Sequence, residues 1–193
     1  MSLKQEKQKK AFHPLYFLFT FIMWILVIGW LAVIFSLSAE SAEVSSMRSL
    51  DLVRRITDNL HIYVTEVFVR NCAHIFEFTI LSTLAYIAMF ATNHVQSGEI
   101  PPASSYLDKL KNDNEVYIAV ALWITALSAA ADEYHQIFVQ GRSASLLDVF
   151  LDLSGAFVLM MIIRIVVSIH VYVKNKKQIT LNVVSSDPHI EEM

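Results

Sequence analysis

Residues Leu15–Leu37 read "LYFLFTFIMWILVIGWLAVIFSL". No charged residue interrupts this run of about 23 residues, and a helix needs about 20 to cross the hydrocarbon core of a bilayer. The start of the chain, with Lys4, Lys7, Lys9 and Lys10, is basic, and the "SLSAESA" after the run is rich in small residues. Both features also occur in a signal peptide, but its apolar region is normally only about 7–15 residues long. The longer run, with Trp24 and Trp30 inside it, is expected to be a retained first transmembrane helix.

The rest of the chain agrees. Hydrophobic residues make up 55% and charged residues 17%, against about 45–50% and about 25% in soluble domains. The mean hydropathy is +0.48. Three further apolar runs follow: Arg70–Ala91, a run beginning at Val116, and one from near Leu146 to near Val173, where "KNKK" is expected to stop it. The expected class is therefore all-α, a polytopic membrane protein with four transmembrane helices. Its parts are a basic N-terminus (1–14), a membrane domain (15–173) and a polar tail (174–193). The polar stretch Thr92–Glu115, with its Pro101-Pro102 pair, reads as an irregular connection.

Between the first two spans, Leu50, Val53, Ile56, Leu60, Val64 and Val67 recur at helical spacing, with Arg48, Asp51, Arg54, Arg55 and Asp58 on other faces. This pattern fits an amphipathic interfacial helix, or equally a helix packed on the other spans. Ser45 or Ser46 is positioned to cap it. Four spans put the N-terminus, the second connection (Lys109, Lys111) and the tail (Lys174, Lys176, Lys177) on one side, which the positive-inside rule makes cytoplasmic. The single cysteine, Cys72, excludes an internal disulfide and reads as a small core residue. No basic groove lined with aromatics is present, so nucleic acid is not an expected partner. No Walker loop, G-x-S-x-G, H-E-x-x-H or CxxC occurs.

The ionisable residues converge on the other side. Arg70, His74 and Glu77 share one face at the start of the second span. Asp132, His135 and Gln136 share a face at the end of the third, with Glu133 beside them. Arg142 lies in the following turn, Asp148 opens the fourth span, and Asp152 lies one turn deeper. Ser36, Ser38 and Ser41 end the first span at the same depth. A charge in hydrocarbon costs about 2.5–3.5 kcal/mol on insertion scales. Two arginines against Glu77, Asp132, Glu133, Asp148 and Asp152 leave a formal −3 with neutral histidines. Such a cluster calls for protons, charged histidines or a bound cation.

Four readings fit. His74, Glu77, Asp132 and His135 have the i, i+3 His–carboxylate spacing found in helical-bundle metal sites. The same four suit acid–base catalysis. Arg70 and Arg142 suit the grip of a phosphate or carboxylate. The whole set also suits an ion-pair network that only holds helices in register. Elsewhere, Arg164 lies about 18 Å along the helix from Asp152 and should snorkel or meet a neighbouring helix. His170 is expected at the interface, and His13, His61, His94 and His189 in solvent. Trp24, Trp30 and Trp123 are expected to pack or face lipid.

The motifs "FSLS", "RNCAHIFEF" and "DEYHQIFVQGRSASLLDVFLDLSG" resemble those of the VanZ-like family of bacterial membrane proteins, over roughly Leu15 to Val173. The resemblance implies a four-span fold in the plasma membrane. It also implies functional roles for Ser38, Arg70, His74, Glu77, Asp132, Glu133, His135, Gln136, Arg142 and Asp148. The founding member is linked to resistance to the glycopeptide teicoplanin, which implies a cell-envelope role and, as partner, a membrane lipid or a lipid-linked envelope precursor. The family name supplies no reaction, no cofactor and no decision between enzyme, transporter, binding protein and structural protein. The chain departs from the pattern at Asn71, where Lys is frequent, and at Asp152, where Asn is common.

Overall fold

The computed structural model describes residues 11–97 and 103–185. Five helices account for nearly all of them: α1 (Pro14–Ser38), α2 (Ala42–Leu60), α3 (Glu66–His94), α4 (Ala103–Gln136) and α5 (Leu146–Ser185). A two-residue antiparallel pairing joins β1 (Ala11–Phe12) to β2 (Gln96–Ser97). Four helices are long and apolar enough to cross a membrane: α1, α3, α4 from Leu107, and α5 as far as Leu181. The β1–β2 pairing brings the start of α1 and the end of α3 to one end of the bundle.

The α3 helix is the hub. One face packs Phe78, Leu81 and Ala88 against Met23, Val27 and Ile34 of α1 and Ala129 of α4. Another packs Ala85 against Ile118 and Ala121 of α4 and Met160 of α5. Within lipid, apolar side chains gain little by leaving the bilayer, so close backbone approach and dispersion drive association. The small residues Ser82, Ala85, Ala88 and Ala91 on α3, all fully buried or nearly so, permit that approach. So does Gly155 on α5, where a Cβ would lie 2.6 Å from Ile75 Cγ2 and closer still to Thr79 Oγ1. Large apolar side chains such as Phe21, Ile28, Trp123 and Phe157 point outward, as lipid-facing positions require.

The indole groups of Trp24 and Trp30 pack on the core and donate hydrogen bonds to Thr92 Oγ1 (3.1 Å) and the Glu77 carbonyl (2.9 Å). Arg164 meets a helix neighbour, donating to Glu115 Oε1 at 2.9 Å.

Several expectations need correction. Ser41, not Ser45 or Ser46, caps α2, accepting from the Val44 N–H. The connection after the second span is largely helical: α3 continues to His94 and α4 is already helical at Ala103. "KNKK" does not stop α5, which continues to Ser185, because Lys, Asn and Gln are all compatible with helix and no Gly or Pro intervenes. Cys72 is exposed on the outer face of α3. His94 packs against the Phe90 ring at 4.2 Å and against Tyr16. His189 lies outside the described residues. The α2 helix buries none of its residues fully, and among the helices it packs chiefly on α3.

Candidate functional site

The turn between α4 and α5 builds the end of the bundle opposite the β1–β2 pairing. Gly141 has φ +76°, a left-handed conformation that side chains with a Cβ resist, and it lies against Ala42 at the start of α2. The Ala42 N–H donates to the Gln140 carbonyl (3.2 Å), which ties α2 to this turn. Arg142 then reaches back to the end of α1. Its Nε donates to the Glu40 carbonyl (3.0 Å) and its terminal nitrogen to the Leu37 carbonyl (3.5 Å). A cation here adds a partner to carbonyls at the end of α1 and meets the negative end of the helix dipole. Burial lowers the pKa of the guanidinium from its usual value, while the Asp132 carboxylate opposes that shift. A guanidinium still stays charged. Asp148 does not pair with Arg142: it sits exposed on the rim, and the Glu40 and Leu37 carbonyls orient Arg142.

Two cavities adjoin Arg142. The larger, of about 170 Å³, is lined by Arg70, His74, Glu133, Gln136, Asp148 and Asp152 as well as Arg142. The smaller, of about 90 Å³, lies toward α1 and α2, between Ser38, Arg48, Glu77 and Asp132. Arg70 and His74 border both. The structure therefore unites nine of the ten sequence-predicted residues around one polar region. The exception is His135. Its ring turns to Phe35 of α1 (6.3 Å, edge to face), and its buried Nδ1 has no hydrogen-bond partner.

Each wall is held differently. Arg70 forms no hydrogen bond or ion pair with any described residue, although it borders both cavities. Glu133, which its place at the end of the third span would allow to be solvated, is buried and accepts the Ser145 N–H at 2.7 Å. That bond fixes the start of α5. Gln136 donates to Asp132 Oδ2 at 2.8 Å, while Asp132 Oδ1 is buried without a hydrogen-bond partner. His74 Nδ1 stands 3.5 Å from Asp152 Oδ1. Of the serines, Ser38 is buried at the smaller cavity with an unpartnered Oγ, Ser36 bonds its own helix, and Ser41 caps α2.

Among the described residues, His74, Asp132 and Asp152 form the group whose ligand atoms converge, all within 4.8 Å of one another. Two of the four sequence candidates for a metal are in it, and Asp152 takes the place of Glu77 and His135. The sequence signal for Asp152 was its position one turn beyond Asp148 on the same face, but periodicity does not say which of the two is buried.

The family model described as VanZ/LLP1 matches residues 16–167. The chain belongs to the VanZ-like family. The match runs from the first turn of α1 into the second half of α5 and contains every residue of the polar site. No curated protein and no solved structure matches the chain. This VanZ-like chain is thus a multi-pass membrane protein with its polar residues gathered at one end of a four-helix bundle.

Proposed function

We propose that this protein presents an outward-facing site in the outer leaflet of a bacterial plasma membrane, with both termini cytoplasmic. The site binds the anionic head of a membrane lipid or lipid-linked peptidoglycan precursor, and through it the protein contributes to glycopeptide (teicoplanin) tolerance. One observation carries this reading: Arg70 lies unpaired on the wall of the larger cavity, and Arg142 borders the same space. An unpaired cation at membrane depth is costly unless an anion completes it, and guanidinium groups hold phosphate oxygens through charge-assisted bonds.

Cavity size limits the ligand. At about 30 Å³ per water, 170 Å³ holds roughly six waters. That suits a phosphate headgroup. The exposed Leu147 and Phe150 flank Asp148 on α5 and suit contact with acyl chains.

The test measures binding of phosphatidylglycerol and of a lipid-linked precursor to the detergent-purified protein, with phosphatidylcholine as control. Charge-assisted hydrogen bonds contribute about 1.5–3 kcal/mol, so Arg70→Gln is expected to weaken anionic-lipid binding by about 10- to 100-fold. Equal affinity in wild type and a folded Arg70→Gln variant refutes the reading. A catalytic version gives Glu77, His74 and Asp132, which border the cavities, proton-transfer roles; it predicts turnover of the bound lipid that Glu77→Gln abolishes.

A further inference from the structure

Asp132 and Asp152 are each 1% exposed, and each keeps one carboxylate oxygen, Oδ1, without a hydrogen-bond partner. They come from different helices, α4 and α5, and His74 of α3 completes the group. Buried carboxylates are almost always paired, protonated or metal-bound. Arg142 is engaged with the Glu40 and Leu37 carbonyls, and Arg70 ion-pairs with neither acid.

We infer that His74 Nδ1, Asp132 Oδ1 and Asp152 Oδ1 form a binding site for a divalent transition-metal ion, with open coordination positions toward the larger cavity. The geometry is near what an ion requires. Zinc binds imidazole nitrogen and carboxylate oxygen at about 2.0–2.2 Å, so two ligands at the tetrahedral angle stand about 3.4 Å apart. His74 Nδ1 and Asp152 Oδ1 are 3.5 Å apart. That is longer than an ordinary N–H···O hydrogen bond of about 2.7–3.2 Å. Asp132 offers a carboxylate oxygen to the same group, whose ligand atoms all lie within 4.8 Å of one another, so a modest side-chain rotation closes the set.

The donor set argues for the class of metal. One imidazole and two carboxylates suit zinc or manganese, whereas magnesium and calcium favour all-oxygen shells. Gln136, donating to Asp132 Oδ2 at 2.8 Å, leaves Oδ1 turned to the ion, as a supporting residue around a metal ligand does. Three protein ligands with open positions are the arrangement of a reactive site rather than a closed structural one. His74 and Asp152 border the larger cavity, so a phosphate oxygen held there by Arg70 is in reach of the ion. The metal site goes beyond the lipid-binding reading and stands without it.

The experiment uses full-length protein in detergent, stripped with chelator, dialysed and titrated with Zn²⁺ and, separately, Mn²⁺. The expected result is uptake of one ion per chain and a metal-dependent rise in melting temperature. Asp152→Asn is expected to weaken uptake by more than about 100-fold, and Gln136→Ala by about 10- to 100-fold. Arg70→Gln removes a neighbouring positive charge but no ligand, so it is expected not to weaken uptake, and failure of the lipid reading and failure of the metal reading are separately visible. Imidazole nitrogen coupling in the Mn²⁺ resonance spectrum of the wild type gives a readout that needs no variant. No stoichiometric uptake by well-folded wild type, uptake by Asp152→Asn equal to wild type, or a spectrum without nitrogen coupling each overturns the assignment.

Discussion

Gly155→Ala tests the packing that positions the site. Gly155 lies on α5 one turn beyond Asp152, facing Thr79 and Ile75 of α3, the latter next to His74. An added methyl would sit 2.6 Å from Ile75 Cγ2, 3.1 Å from the Ile75 carbonyl oxygen and still nearer Thr79 Oγ1. Ordinary carbon contacts need about 3.5–4.0 Å, so the Ile75 methyl must retreat by about 1 Å. The carbonyl cannot turn away, because it accepts from Thr79 Oγ1 at 2.6 Å. Rotating the Thr79 hydroxyl out of the way gives up that bond.

Overpacking of this kind costs about 1–3 kcal/mol. Replacing Gly by Ala in a helix returns about 0.8–1.0 kcal/mol. The net expectation is destabilisation by about 1 kcal/mol, or about 2–4 °C in Tm for a chain of this length. Thermal unfolding in detergent, followed through the fluorescence of core-packed Trp24 and Trp30, reads it directly. In an Ile75→Ala background the same substitution should cost at least about 0.5 kcal/mol less, because the two positions touch. A Tm equal to or above wild type, or no coupling to Ile75→Ala, refutes the claim that α3 and α5 meet through Gly155.

Two more outcomes follow from the turn and the topology. Arg142→Lys keeps the charge but loses the fork that reaches both the Glu40 and Leu37 carbonyls, and should lower stability in thermal unfolding by about 1 kcal/mol; an unchanged Tm would show that the α1 end is satisfied without it. Tyr63 is 92% exposed between α2 and α3, so Tyr63→Cys in a Cys72→Ser background should react with a membrane-impermeant maleimide in intact cells; labelling only after lysis would invert the proposed orientation.

The spans were legible because insertion is nearly a local property: an uncharged apolar run such as Leu15–Leu37 specifies a crossing whatever surrounds it. The motifs pointed to the family for a similar reason, since Arg70, His74, Asp132 and Arg142 are visible as residue types at fixed spacings. Helix ends were less legible. Polar stretches such as "KNKK" carry no obligatory stop, and whether the helix continues past the membrane rests on weak propensities.

The inner arrangement of the site needed the third dimension. Periodicity places Asp132 and His135 on one side of α4, yet the rotation of α4 against its neighbours sends His135 to Phe35 and Asp132 toward His74. Asp148 and Asp152 share a face of α5, but only Asp152 lies deep enough to be buried. Arg142, read from sequence as a grip for a phosphate or carboxylate, reaches the carbonyls at the end of α1. A single helix determines which side chains are neighbours along its own surface. Which neighbour that surface meets depends on the close approach of α3 to α5 at Gly155 and on the turn at Gly141, and those are set by the packing of all the helices together.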